Sequence, residues 1–225
     1  LRSQLEELSG RKISDRALSS SISLANEIRA LMSLLYSAVE CLHPATLHDI
    51  RRCSLKVPWE RSRTLLRNLY SVLPEHADND DVRVVLVGPE LADLSLYEVI
   101  GDAGAVVVDD LLDMGQRRHL HMVSEKGDPL AALADQMLAL SPAPTKYHPD
   151  GGRQKALLDT VKSSRADGVI FPRQKFCDPH GFDYPILKSS LDEAGVPHLL
   201  VELERTPNQG QIRTRVEAFV EMVEG

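Results

Sequence analysis

Four short runs that are apolar at nearly every position constrain this chain more than any other feature. They fall at 82–87, 105–108, 169–171 and 198–201. A strand that is apolar on both faces needs cover on both faces, which suits a parallel sheet flanked by helices. Helical patterns separate the runs, at about 95–103, 129–140, 152–165, 179–194 and 211–223. This alternation predicts an α/β fold, a doubly wound parallel sheet of flavodoxin-like type. Sheets of this kind place their ligands at the carboxyl ends of the strands.

Residues 1–80 read as a helical connecting segment that precedes an α/β domain at 81–225. Ser14 or Asp15 can cap a long helix whose apolar positions Leu18, Ile22, Ala25, Ile28, Met32, Leu35, Val39 and Leu42 recur at steps of three and four. That stripe is expected to be a packing seam. His43-Pro44 ends it. A short helix is expected over 46–54, and Pro58 opens another with Leu65, Leu66, Leu69, Val72 and Leu73 facing inward. Pro74 and the polar run at 77–81 mark the boundary.

A net charge of −7 argues against a nucleic-acid surface as the main function. No apolar run approaches membrane-spanning length, so no membrane partner is expected. The three cysteines, Cys41, Cys53 and Cys177, are too few and too irregularly spaced for a disulfide framework, and a cytoplasmic, reducing compartment is the simplest expectation. The chain begins at Leu1 rather than Met, which points to a fragment or a processed product.

The strand-end loops are 88–90, 109–115, 172–177 and 202–210. The third is the most suggestive. Cys177 stands at the mouth of a helix that Asp178 can cap and Pro179 can begin. The helix dipole, with Arg173 and Lys175 nearby, favours a thiolate able to bind metal or attack an electrophile. An inert cysteine near a helix start is the plain alternative. Cys41 and Cys53 read as packing residues. His119 and His121 would share a metal only in strand geometry. His180 is either an acid near Cys177 or a surface histidine. Asp109-Asp110 ends a strand, where a capping or solvated role is expected. Exposed amides at the start of the last helix, with Gln211 and Arg213, can hold an anionic group of a substrate.

The run Asp167-Gly168-Val169-Ile170, then Lys175-Phe176-Cys177-Asp178-Pro179 and Tyr184-Pro185-Ile186-Leu187-Lys188, resembles the 2-hydroxyacyl-CoA dehydratase D-component and benzoyl-CoA reductase family. The segment Gly210-Gln211-Ile212-Arg213-Thr214-Arg215-Val216-Glu217-Ala218-Phe219 looks like that family's ending, and Leu8-Ser9-Gly10-Arg11-Lys12-Ile13-Ser14 like its central connection. The resemblance implies two flavodoxin-like domains per subunit and two related subunits per catalytic unit. It also implies a [4Fe-4S] cluster held by cysteines, and an ATP-dependent activator protein that supplies a low-potential electron for one-electron reduction of an acyl-CoA thioester. Cys177 matches the family's cluster cysteine in the KFCDP segment. A second family cysteine is expected just after a DDL segment, but here Asp109-Asp110-Leu111 is followed by Leu112 and Asp113. A further family cysteine belongs to an N-terminal domain outside this chain.

Two readings follow. One is a subunit, or part of one, of an iron–sulfur dehydratase or reductase. The other is a cluster-free relative that serves as a structural or CoA-binding partner. The intact Cys177 segment favours the first and Leu112 the second.

Overall fold

All four predicted strands form, and they build one parallel sheet in the order β2-β1-β3-β4 among the described residues. The strands are β1 (Val82–Gly88), β2 (Ala105–Leu112), β3 (Gly168–Gln174) and β4 (His198–Leu203). The computed structural model describes residues 1–74, 80–91, 94–113, 115, 121–140, 143–144, 150–204 and 209–225. The helices are α1 (Arg2–Ser9), α2 (Asp15–Ser37), α3 (Pro44–Lys56), α4 (Trp59–Tyr70), α5 (Ser95–Asp102), α6 (Pro129–Ala139), α7 (Gly152–Ser164), α8 (Asp178–Ala194) and α9 (Gln209–Glu224). This is the expected flavodoxin-like α/β fold.

Local chemistry sets the helix ends. Ser14 accepts from the Ala17 N–H and starts α2. The helix stops at Ser37, short of the predicted end, and a 3₁₀ turn at Val39–Cys41 leads to His43, whose ring caps α3. Of the predicted seam, Ile22, Ala25, Met32, Leu35 and Val39 are buried, and Tyr36 joins them.

The sheet is covered on both faces. Val84, Leu86, Val107, Leu112 and Ile170 pack with α5 and α9 through Ile100, Val216 and Phe219. Val85, Val87, Val106 and Val169 pack with Met32 and Leu35 of α2, Leu157 of α7 and Leu187 of α8. Leu47 of α3 and Leu66 of α4 belong to the same cluster, so the helical segment supplies part of the cover for the sheet.

Two irregularities shape the carboxyl end. The first is in β2, which runs four residues past its predicted end. A bulge sets Val84 opposite Val107 but Val85 opposite Asp109. It resets the alternation, a common use of bulges near functional sites. The second is Pro172 in β3. Val169 and Lys175 donate their N–H groups to Pro197 and Leu203 on the β4 side, at 3.0 and 2.9 Å. Pro172 therefore faces β1, to which it has no N–H to give. The β1–β3 register ends at Leu86↔Ile170, while β3–β4 continues to Gln174↔Leu203. Gly88 then lies so close to Pro172 that a Cβ would stand 2.3 Å from its carbonyl oxygen. β1 and β3 are also where the chain reverses its direction of travel across the sheet, the place where doubly wound folds open a crevice.

Candidate functional site

The third strand-end loop stands beside that crevice. Cys177 is itself the N-cap residue of α8, with Asp178 as the first helical residue and Pro179 in the first turn. This corrects the expectation that Asp178 caps the helix: it stands one position too late and adds only first-turn negative charge, which the dipole favours. Phe176 adopts the left-handed region, with φ 68°. A non-glycine residue there costs on the order of 1–3 kcal/mol and persists where its surroundings fix it. The basic loop is neutralised locally. Arg173 pairs with Glu202, and Lys175 with Glu204 at 2.9 Å. The Glu204 contact raises the Lys175 pKa.

Behind Cys177, His180 is buried and its Nε2 lies 3.5 Å from Asp113 Oδ2. One turn further on, Asp183 receives Arg153 of α7 through both carboxylate oxygens, at 2.5–3.0 Å. The start of α8 is thus tied to the turn after β2 and to α7. His180 is therefore an inward residue, not a surface one.

Asp109 and Asp110 behave differently from each other and from expectation. Asp110 is buried, so a capping or solvated role is corrected for it. Its Oδ2 accepts from the Tyr36 hydroxyl at 2.6 Å and lies 3.5 Å from the Arg51 guanidinium. Its Oδ1 accepts the Leu112 N–H at 3.2 Å. Arg51, 2% exposed, also reaches Glu90 at 2.6 Å and His48 at 2.9 Å, and His48 stacks on Tyr97. Burial works against the Arg51 charge, but Asp110, Tyr36, Tyr97 and Glu90 outweigh it and hold the guanidinium charged. Burial, then Asp110, pushes the Tyr36 hydroxyl well above its usual range. Gly115, whose N–H donates to the Leu112 carbonyl at 3.1 Å, closes over this network. A Cβ at that position would stand 1.5 Å from Asp110 Oδ1. Asp109, by contrast, opens on a cleft with Tyr36, Ser37 and Ser163. Burial, then Asp110, raises its carboxyl to about 8.

The other candidates lie elsewhere. Arg213 and Gln211 sit on α9; Arg213 pairs with Asp102 at 2.8 Å and lines a cleft with Ser95 and Gln209. That cleft shares no residue with the hollow at Cys177, which is lined by Arg173, Gln174, Phe176, Phe182 and Glu202 among others. Cys41 lies in the 3₁₀ turn with its sulfur 3.5 Å from the Pro74 carbonyl, and Cys53 is exposed on α3. His119 lies outside the described residues; the His121 carbonyl accepts from Gln136 at 3.4 Å.

Sequence reasoning missed Arg51, His48, Tyr36, Glu90 and the Asp113–His180 pair. The one available signal was two polar residues, His48 and Arg51, three apart on a helix whose Leu47 faces the core. Spacing alone does not separate such a pair from a solvated face.

Fold and site define a doubly wound α/β unit whose candidate chemistry lies at the carboxyl ends of its strands. The chain belongs to the family described as 2-hydroxyglutaryl-CoA dehydratase, D-component, which it matches over residues 1–223. It is 29% identical over 228 residues to the β subunit of (R)-phenyllactyl-CoA dehydratase of Clostridium sporogenes, covering 97% of this chain and 60% of that one. It is 32% identical over 235 residues to a benzoyl-CoA reductase subunit of Thauera aromatica, covering 99% and 61%. The β subunit of lactoyl-CoA dehydratase of Anaerotignum propionicum is 26% identical over 231 residues, covering 99% and 62%. The chain thus spans about three-fifths of the length of these relatives. No helix among the described residues is long and apolar enough to cross a membrane.

An iron–sulfur cluster is implied by the family resemblance. Among the described residues, no group of three or more His, Cys, Asp or Glu side chains is placed to hold a metal ion. Leu112, at the position expected for a second cysteine, is fully buried in the core on the α5 and α9 face. The described residues of this chain do not fit a complete cluster; at the carboxyl ends of the strands they offer one thiol, Cys177, while Cys41 and Cys53 lie on the helical segment.

Proposed function

We propose that this chain forms part of a subunit of an acyl-CoA dehydratase or benzoyl-CoA reductase-like enzyme, acting on an acyl-CoA thioester together with a related partner subunit. The observation that carries this reading is the position of Cys177: at a helix start, on the strand-end loop beside the crevice between β1 and β3. Family membership over residues 1–223 supports the acyl-CoA class, and the relatives' names as subunits support a partner. Those names include aromatic and aliphatic acyl groups. In the iron–sulfur form of the reading, Cys177 is this chain's one ligand to a shared [4Fe-4S] cluster, and an ATP-dependent activator supplies the electron. Gln211 and Arg213 then serve the anionic part of the substrate. The sparse cysteines fit a cytoplasmic setting.

Leu112 favours a second reading, a cluster-free subunit that binds acyl-CoA or supports its partner. Anaerobic reconstitution of the full-length protein and its partner with iron and sulfide separates the two. A cluster absorption band that is lost in Cys177→Ser supports the iron–sulfur form. The absence of any iron uptake, with acyl-CoA binding unchanged by that substitution, establishes the cluster-free form instead.

A further inference from the structure

Cys53 opens on an apolar groove between α3 and α4, on the helical segment. Ile50, Cys53 and Ser54 form one wall, at steps of three and four along α3. Ser62, Leu65, Leu66 and Leu69 form the other, with the same spacing along α4. None of these residues is charged. Cys53 is an exposed free thiol and Leu65 is 49% exposed, so the groove is reached from solvent. It measures about 230 Å³. A cavity of about 150 Å³ already accepts benzene, so a six-carbon chain is within its size.

Ser62 supplies an independent sign of a ligand. It is 1% exposed, and its Oγ has no hydrogen-bond partner among the described residues. Serine hydroxyls in helices commonly donate back to a carbonyl three or four residues earlier. Ser54 does so, to Arg51 at 2.7 Å, but Ser62 does not. A buried hydroxyl left without a partner is costly, and native proteins hold few of them. Because Ser62 lines the groove, a polar atom carried in by a ligand can complete it.

From these features we propose that Cys53 is an acyl-acceptor site. Its thiol takes an acyl group from an acyl-CoA thioester and lays the chain along the groove, with the Ser62 hydroxyl donating to the acyl carbonyl oxygen. The donor comes from the acyl-CoA reading above, but the groove shares no lining residue with the hollow at Cys177. The step balances without a further reagent. The Cys53 sulfur, attacking as the thiolate, bonds to the acyl carbon. The bond from that carbon to the coenzyme A sulfur breaks, and the departing thiolate takes up the proton that Cys53 gave. One thioester replaces another, so burial of the chain decides which side is favoured. Each methylene that leaves water favours the protein-bound form by about fourfold.

The test is intact-mass and peptide mass spectrometry of the full-length protein with its partner subunit, after incubation with hexanoyl-CoA or acetyl-CoA. One hexanoyl adduct at Cys53 is expected, released by neutral hydroxylamine and at least about tenfold more abundant than the acetyl adduct. Cys53→Ser should abolish it. Ser62→Ala should lower it several-fold, while iodoacetamide labels Cys53 equally in that variant and in wild type. Cys53 is exposed and the Ser62 hydroxyl bonds nothing, so both variants are expected to fold. Equal acetyl and hexanoyl adducts, labelling only at Cys41 or Cys177, no adduct, or an adduct unmoved by Ser62→Ala each overturns the inference alone. Calorimetric binding of hexanoyl-CoA to Cys53→Ser is read separately, and its absence overturns the acyl-CoA reading whichever way the adduct falls.

Discussion

Arg51→Met is the most informative perturbation of the buried polar network. The methionine keeps much of the volume but removes the guanidinium from beside Asp110. At 3.5 Å and an effective dielectric constant of 20, the Arg51–Asp110 attraction is about 5 kcal/mol before desolvation is counted. Desolvation cancels much of that while the pair is intact. Once the cation is gone, Asp110 stays buried with the Tyr36 hydroxyl and the Leu112 N–H still donating to it. Removing one partner of a buried pair in this way costs about 3–5 kcal/mol. Asp110→Asn alone should cost less, because an amide needs no counter-charge. In the double variant the two losses should overlap, so the summed single costs exceed the double cost by about 2 kcal/mol. Urea unfolding followed by circular dichroism gives all four stabilities. Raising salt should barely change the coupling, since a pair this deeply buried is poorly screened. A cost below about 1 kcal/mol for Arg51→Met, or strict additivity, would refute the view that these residues share one desolvated network.

Two further predictions concern the neighbouring strand end. Asp109 carries its proton in the folded state up to about pH 8, against an ordinary value of 3.8, so the folded form binds more protons than the unfolded one across that window. Stability should therefore fall as pH rises from 4 to 8. Asp109→Asn removes this loss, and because the side chain is half-buried we expect the variant's advantage over wild type to grow by only about 1–2 kcal/mol between pH 5 and pH 8, well under the ceiling of about 1.4 per unit. A difference that stays flat with pH in paired denaturation series would contradict the assignment. Leu112→Ala should cost about 3 kcal/mol and lower Tm by about 10 °C, since Leu112 is fully buried in the core. A drop of less than about 3 °C by calorimetry would mean the strand end tolerates a cavity.

The sheet was legible because its four strands are short runs, apolar on both faces and separated by helical patterns. The ends of those strands were not. Hydrophobic runs stop at the first charged residue, yet β2 continues through Asp109 and Asp110, because a bulge and an arginine 59 positions away make a buried carboxylate tolerable. Cys177 could be placed from its loop and its following proline. The Asp113–His180 contact could not, since it depends on the turn after β2 meeting the first turn of α8, 67 positions later. The cap assignment failed by one residue, because Cys177, Asp178 and Pro179 all tolerate a helix start.

The sharing of one hydrophobic cluster between α2, α3, α4 and the sheet bears on how the molecule can be divided. Met32, Leu35, Leu47 and Leu66 touch the same buried layer as Val85 and Val169. A cut near residue 80 would leave the second half with an oily, uncovered sheet face and the first with an apolar seam and nothing to dock on. The two halves should melt together as one cooperative unit, and neither is expected to be well behaved when expressed alone. The sequence suggests a boundary at Pro74, and the shared packing leads us to expect a unit of folding that runs across it.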